Sequence, residues 1–151
     1  MRVLVLNGPN MNLLGLRERA LYGAQSYADL ERYIQDEAAR LDMTVEIRQS
    51  NHEGDLLDWI QQAYGQFDGL VLNPAAYTHT SIAILDALKA VRLPAVEVHL
   101  TDIDSREAFR RVSYAGMACQ AHYKGLGFAG YGKALAYLKT YKKEKSWSRW
   151  K

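Results

Sequence analysis

Short apolar runs rich in β-branched residues alternate along this chain with longer stretches in which apolar positions recur every third or fourth residue. The short runs lie at 3–7, 43–49, 69–73 and 95–100, with a weaker one around 118–124. Runs of that length predict strands, and the longer stretches between them predict helices over 27–41, 53–64, 81–91, 105–111 and from about 130 into the tail. In the first helix Leu30, Tyr33, Ile34, Ala38 and Leu41 form the apolar stripe, Ser26 is the expected N-cap, and Asp29 three residues later makes an imperfect capping box.

Strand and helix in strict alternation mean parallel strands joined by crossover helices, with both faces of the sheet covered. The expected fold class is α/β, a flavodoxin-like three-layer sandwich with a five-stranded parallel sheet, and residues 1–151 are read as a single domain. In such sheets ligands bind beyond the carboxyl ends of the strands. Asn7, Asn51, Asn73, Glu97 and His99 all fall at or near such ends. Segment 8–25 is long for a connection in a compact domain and carries Arg17, Glu18, Arg19 and Tyr22 followed by Gly23, so it is expected to be an active-site lid.

Composition narrows the function classes. A hydrophobic share of 48% and a charged share of 24% are those of an ordinary globular protein. A net charge of +2 argues against a nucleic-acid partner, which needs a clustered basic surface. The lysine-rich tail 139–151, with Trp147 and Trp150, is read as a helix end running into a solvated segment, in preference to a site for an anionic partner. Cys119 is the only cysteine, the apolar run at 3–6 is too short for a secretory signal, and no stretch is long enough to span a bilayer. The expectation is a cytoplasmic protein without a membrane partner.

The chemistry concentrates on the run Ala95-Val96-Glu97-Val98-His99-Leu100. Alternation puts Glu97 and His99 on one face and Val96, Val98 and Leu100 on the other. A carboxylate beside an imidazole on a covered sheet favours the protonated ring, which is how a general acid is made. A structural pair that merely satisfies itself accounts for this strand equally well. The block 73–81 adds Asn73, His79 and several hydroxyls, with Thr80 or Ser81 expected as a helix N-cap. Arg106 and Arg110, spaced i, i+4 on the predicted helix 105–111, would share a face, and the amides at its start would hold a carboxylate. There is no nucleophile elbow, Walker A sequence, dinucleotide fingerprint or zinc-protease motif.

These residues resemble a known family in order and over nearly the whole chain. Leu6-Asn7-Gly8-Pro9-Asn10-Met11-Asn12-Leu13-Leu14-Gly15 with Arg17-Glu18 and Tyr22-Gly23, then Arg48 to Gly54, Asn73 to Ser81, and Glu97 to Thr101 leading to Arg110, are similar to the signatures of type II dehydroquinases. The resemblance implies dehydration of 3-dehydroquinate in the shikimate pathway, by anti elimination through an enolate, with neither cofactor nor metal. It implies Tyr22 as base, Arg17 as the cation favouring its phenolate, His99 paired with Glu97 as acid, and Asn10 beside an active-site water. Asn73, His79 and Arg110 correspond to substrate-binding positions, and Leu100 with Thr101 to the grip on the substrate carboxylate. Arg106 fits a supporting place. Asp86 corresponds to a contact reaching in from a neighbouring subunit of a homo-oligomer, a dodecamer built from trimers. Arg19 stands where the family usually has proline, Met11 replaces a common leucine, and 114–124 is richer in bulky and polar residues than the usual apolar stretch. A flavodoxin-like binding module that has lost turnover is the competing expectation, and it predicts ligand binding without dehydration.

Overall fold

The computed structural model describes residues 1–16, 20 and 24–148. Among them, β1 (Arg2–Asn7), β2 (Thr44–Gln49), β3 (Gly69–Asn73), β4 (Ala95–His99) and β5 (Ala121–Lys124) pair in one sheet. Every pairing is parallel, and the strand order is β2-β1-β3-β4-β5, as in flavodoxin-like folds. Four helices connect or follow the strands: α1 (Tyr27–Arg40), α2 (Glu53–Gln62), α3 (Ile82–Val91) and α4 (Ala129–Ser148).

Alternation along the strands builds two cores. Val3, Val5, Val71, Val96 and Val98 face α1 and α4, where Leu30, Ile34, Tyr131, Leu135 and Leu138 cover them. Leu4, Leu6, Leu70, Leu72 and Ala95 face α2 and α3, under Leu56, Ile60, Ile84 and Leu88. Three layers follow from this parity, since neither face of the sheet is left to water. It also places Glu97, with the parity of Ala95, on the α2 and α3 side. No helix among the described residues is long and apolar enough to cross a membrane.

The capping expectations hold in detail. Ser26 Oγ accepts the Asp29 N–H at 3.1 Å while the Ser26 N–H donates to Asp29 Oδ2 at 2.9 Å, a complete capping box. Ser81 caps α3, its Oγ accepting the Ile84 N–H at 3.0 Å.

The helix expected over 105–111 is not there. The chain makes two single 3-10 turns instead, Ile103–Ser105 and Ala108–Arg110, separated by Arg106 in extended backbone at φ −91°, ψ −172°. Asp102 is the cause: its side chain takes the Asp104 N–H at 3.1 Å and its carbonyl takes the Ser105 hydroxyl at 2.8 Å. Such local bonds offer the backbone an alternative to helix. Arg106 and Arg110 therefore share no helical face, and no extended row of helix-start amides exists here to hold a carboxylate.

Gly8 locks the end of β1 to the end of β3. Its N–H donates to the Asn73 carbonyl at 2.8 Å, and a Cβ built on it would lie 2.3 Å from Pro74 O and 2.6 Å from Pro74 C. Backbone cannot yield as a side-chain tip can, so Gly8→Ala is expected to cost about 3 kcal/mol of stability. Gly54→Ala, at a helical site with nothing within 4 Å, is expected to stabilise by about 0.5 kcal/mol. Urea titration of both proteins checks the contrast, and equal midpoints would remove the argument from backbone approach.

Candidate active site

The carboxyl ends of β1, β3 and β4 bring the polar residues together. Glu97 is fully buried and His99 is 5% exposed, with His99 Nε2 2.9 Å from Glu97 Oε1. Thr78 donates its hydroxyl to the same oxygen. Ser113 Oγ lies 2.7 Å from Oε1 and 2.8 Å from Oε2, and His122 Nδ1 lies 3.2 Å from Oε2. A buried carboxylate is costly unless its lone pairs are occupied, and here both oxygens are. Burial pushes the Glu97 pKa up, but hydrogen bonds from His122, His99 and Thr78 and the charge of His99 outweigh it, holding the group well below the carboxylate range. Glu97 stays ionised.

His79 stacks against His99, ring centroids 6.3 Å apart and planes within 17°. Its Nδ1 is 2.7 Å from the Val112 carbonyl, so Nδ1 carries the hydrogen and Nε2 is the acceptor in the neutral ring. Burial lowers the His79 pKa; the Val112 contact opposes this, and His99 and Arg110 add to it. Arg110 Nε is 3.1 Å and Arg106 Nε 3.6 Å from Glu107 Oε2, so one carboxylate gathers the two arginines that a helix was expected to align.

A second polar group ties the strand ends inside the core. Tyr131, fully buried on α4, donates to Asn7 Oδ1 at 2.6 Å and accepts from Asn73 Nδ2 at 3.1 Å. Asn7 Nδ2 is 3.3 Å from the Tyr27 hydroxyl, and Asn73 Oδ1 accepts the Ala75 N–H at 3.1 Å. The Asn73 amide is thus fixed from below by three neighbours, Met11 Sδ at 3.6 Å being the third. Asn10 takes left-handed backbone, φ 66°, and its N–H donates to Asn51 Oδ1 at 2.9 Å. Gln49 Nε2 bonds the Gly8 carbonyl at 3.2 Å and Asn51 Oδ1 at 3.2 Å, holding the start of the expected lid to the end of β2.

Of the residues singled out from sequence, Asn73, His79, Glu97 and His99 meet at the ends of β3 and β4. Leu100 and Thr101 follow directly, with the Leu100 carbonyl accepting the Gly127 N–H at 3.0 Å. Asn10 lies across the end of β1. Asp86 stands exposed on α3 and, among the described residues, shares no hydrogen bond or ion pair with this group. Arg17 and Tyr22, with Glu18, Arg19 and Gly23, lie outside the described residues. Sequence reasoning missed Ser113, His122 and Tyr131 as partners. His122 left a trace, being one of the polar residues that set 114–124 apart from the family's usual apolar stretch; Tyr131 left none, since an aromatic residue on a helix reads as plain core.

The chain matches the family model described as class II dehydroquinase over residues 1–139. It is 52% identical to the 3-dehydroquinate dehydratase of Deinococcus radiodurans over 137 residues, 90% of this chain and 96% of that one. It is 48% identical to the 3-dehydroquinate dehydratase of Clostridium acetobutylicum over 140 residues, 93% of this chain and 97% of that one. The crystal structure of the type II dehydroquinase from Butyrivibrio crossotus superposes with a TM-score of 0.89 at 44% identity, covering 91% of this chain and 97% of that one. Fold, strand-end chemistry and these relatives agree, and the chain belongs to the class II dehydroquinase family.

Proposed function

We propose that the chain is a 3-dehydroquinate dehydratase, a hydro-lyase that converts 3-dehydroquinate to 3-dehydroshikimate and water in the shikimate pathway. The observation that carries this reading is the buried pair of Glu97 and His99: an ionised carboxylate holds the ring at 2.9 Å and fixes which of its edges is turned away from Glu97. With Nε2 turned to Glu97, the Nδ1 edge of His99 faces the departing hydroxyl.

The elimination runs in two stages. Tyr22 as phenolate takes a proton from the carbon next to the substrate ketone, and the electron pair moves onto the ketone oxygen as an enolate. Arg17 favours the phenolate, and Asn10 holds a water against the enolate oxygen. The enolate then returns its pair to form the carbon–carbon double bond as the carbon–oxygen bond on the opposite face breaks. His99 protonates that oxygen, and water leaves. Neither cofactor nor metal takes part.

The neutral His79, Asn73 and Arg110 hold the substrate hydroxyls, and Leu100 with Thr101 grips the carboxylate through backbone amides and a hydroxyl. Asp86, exposed on α3, acts on the site of a neighbouring subunit in a dodecamer of trimers. Segment 8–25 closes as a lid on a single domain spanning 1–151, and the enzyme works in the cytoplasm.

Adding 3-dehydroquinate to the purified chain is expected to produce the ultraviolet absorbance of a conjugated enone. Measurable substrate binding by folded protein with no such absorbance would transfer the reading to a binding module.

A further inference from the structure

His122 reaches Glu97 from the side opposite His99. Strand register puts it there: Glu97 on β4 is the partner of His122 on β5, so the two side chains rise from the same face of adjacent strands. The inner oxygen, Oε1, carries His99, Thr78 and Ser113, whereas Oε2 is left to Ser113 and His122. The His122 side chain is 40% exposed while that of Glu97 is fully buried, so this imidazole links the carboxylate to solvent.

The packing around this contact admits no larger residue. A Cβ on Gly116 would lie 2.5 Å from Glu97 Oε2, 2.6 Å from Ser113 Oγ and 2.8 Å from His122 Cε1. The missing side chain is what lets carboxylate, hydroxyl and ring converge. The Gly116 N–H in turn donates to Ser113 Oγ at 2.9 Å, fixing the hydroxyl that serves both oxygens.

We propose that His122 is a positioning residue for the acid step, holding the outer oxygen of Glu97 so that the inner oxygen is presented to His99. The inference rests on the assignment of His99 as the acid. A donor on Oε2 draws charge away from Oε1. This lessens the negative charge set beside the Nε2 edge of His99 and eases transfer of the Nδ1 proton to the leaving hydroxyl. Without His122 the charge returns to Oε1, and His99 releases its proton less readily.

Other charged and titratable groups face this pair from several elements. Lys124, on the same strand, is held by Asp104 at 3.1 Å, and Arg111 lines the same cleft of about 290 Å³ with its Nε on the Arg106 carbonyl. Cys119, at the end of the 3-10 turn Ala115–Ala118, has its thiol pushed up by burial and by the Glu97 charge, so it stays neutral. On the far side stand His79 and Arg110.

The test is kcat and KM for 3-dehydroquinate across pH in the native chain, His122→Val, His122→Gln and His99→Gln. Loss of one hydrogen bond to a charged group is expected to lower kcat about tenfold in His122→Val, with KM within about twofold. The high-pH limb of its kcat profile is expected to move upward. The Gln variant, whose amide can donate to Oε2, is expected to recover most of kcat and a near-native limb. Equal losses in the Val and Gln variants, or a native profile in His122→Val, would overturn the proposal. If His99→Gln is inactive in that case, the acid assignment survives and only the role of His122 falls. Turnover retained in His99→Gln would remove both.

Discussion

Tyr22→Phe is expected to lower kcat by about a thousandfold or more while leaving KM within a few-fold, because it removes one oxygen that acts only in proton transfer. The expectation draws on what the other candidates near the strand ends can do. Tyr27 is pushed up to about 12, chiefly by burial, with the Asn7 hydrogen bond opposing and the Glu31 charge adding. Burial likewise pushes Tyr131 upward, against the hydrogen bond from Asn73 and with Tyr27 adding. Neither phenol ionises near neutrality. Glu97 has its oxygens occupied by donors, and His79 Nδ1 is held on the Val112 carbonyl. A free tyrosine ionises near pH 10, so a tyrosine base needs neighbouring positive charge, the part proposed for Arg17. Steady-state assay of the variant decides the point; turnover near the native level would exclude Tyr22 as the base.

Glu97→Gln is expected to reduce kcat by about a hundredfold or more and to cost about 3 kcal/mol of stability, since one partner is removed from a buried charged group. Both effects share a cause: an amide offers one acceptor oxygen where Thr78, Ser113, His99 and His122 approach two. The stability loss has a definite pH dependence. Glu97 binds its proton far more weakly in the folded chain than in the unfolded one, where the usual value is about 4.3. Its contribution is therefore complete above about pH 5 and fades as acid protonates the unfolded state more readily than the folded one. The gap in unfolding free energy between native chain and variant should be widest near neutrality and narrow toward pH 3. Urea titrations at the two pH values measure it, and a gap that is constant or widens in acid would contradict the ionised, multiply bonded carboxylate.

Much of this architecture is legible in the pattern of residues, and the places where it is not have physical reasons. Val3, Val5, Val96 and Val98 alternate with Leu4, Leu6 and Glu97, and that parity yields strands, layers and the face on which Glu97 and His99 stand. The capping box of Ser26 and Asp29 is likewise local chemistry and reads correctly, completed by the backbone. Segment 105–111 misleads because Arg106 and Arg110 stand at helical spacing while Asp102 redirects the backbone from just upstream. Ser113 and His122 come to Glu97 from 16 and 25 residues away, through sheet register and a turn built around Gly116. No periodicity within one element encodes such a meeting. The candidate residues that sequence picked out and the fold brings together are those crowded at the ends of single strands.

The bond between Asn7 and Tyr131 spans 124 residues. During synthesis Asn7 leaves the ribosome 124 residues before the hydroxyl that fixes it and, through Asn73, the end of β3. The side chains at the ends of β1 and β3 are tied through this hydroxyl only after α4 has emerged and docked. A nascent chain holding all of the residues proposed for chemistry would still lack the strut that fixes Asn7 and Asn73, so the working site waits for α4.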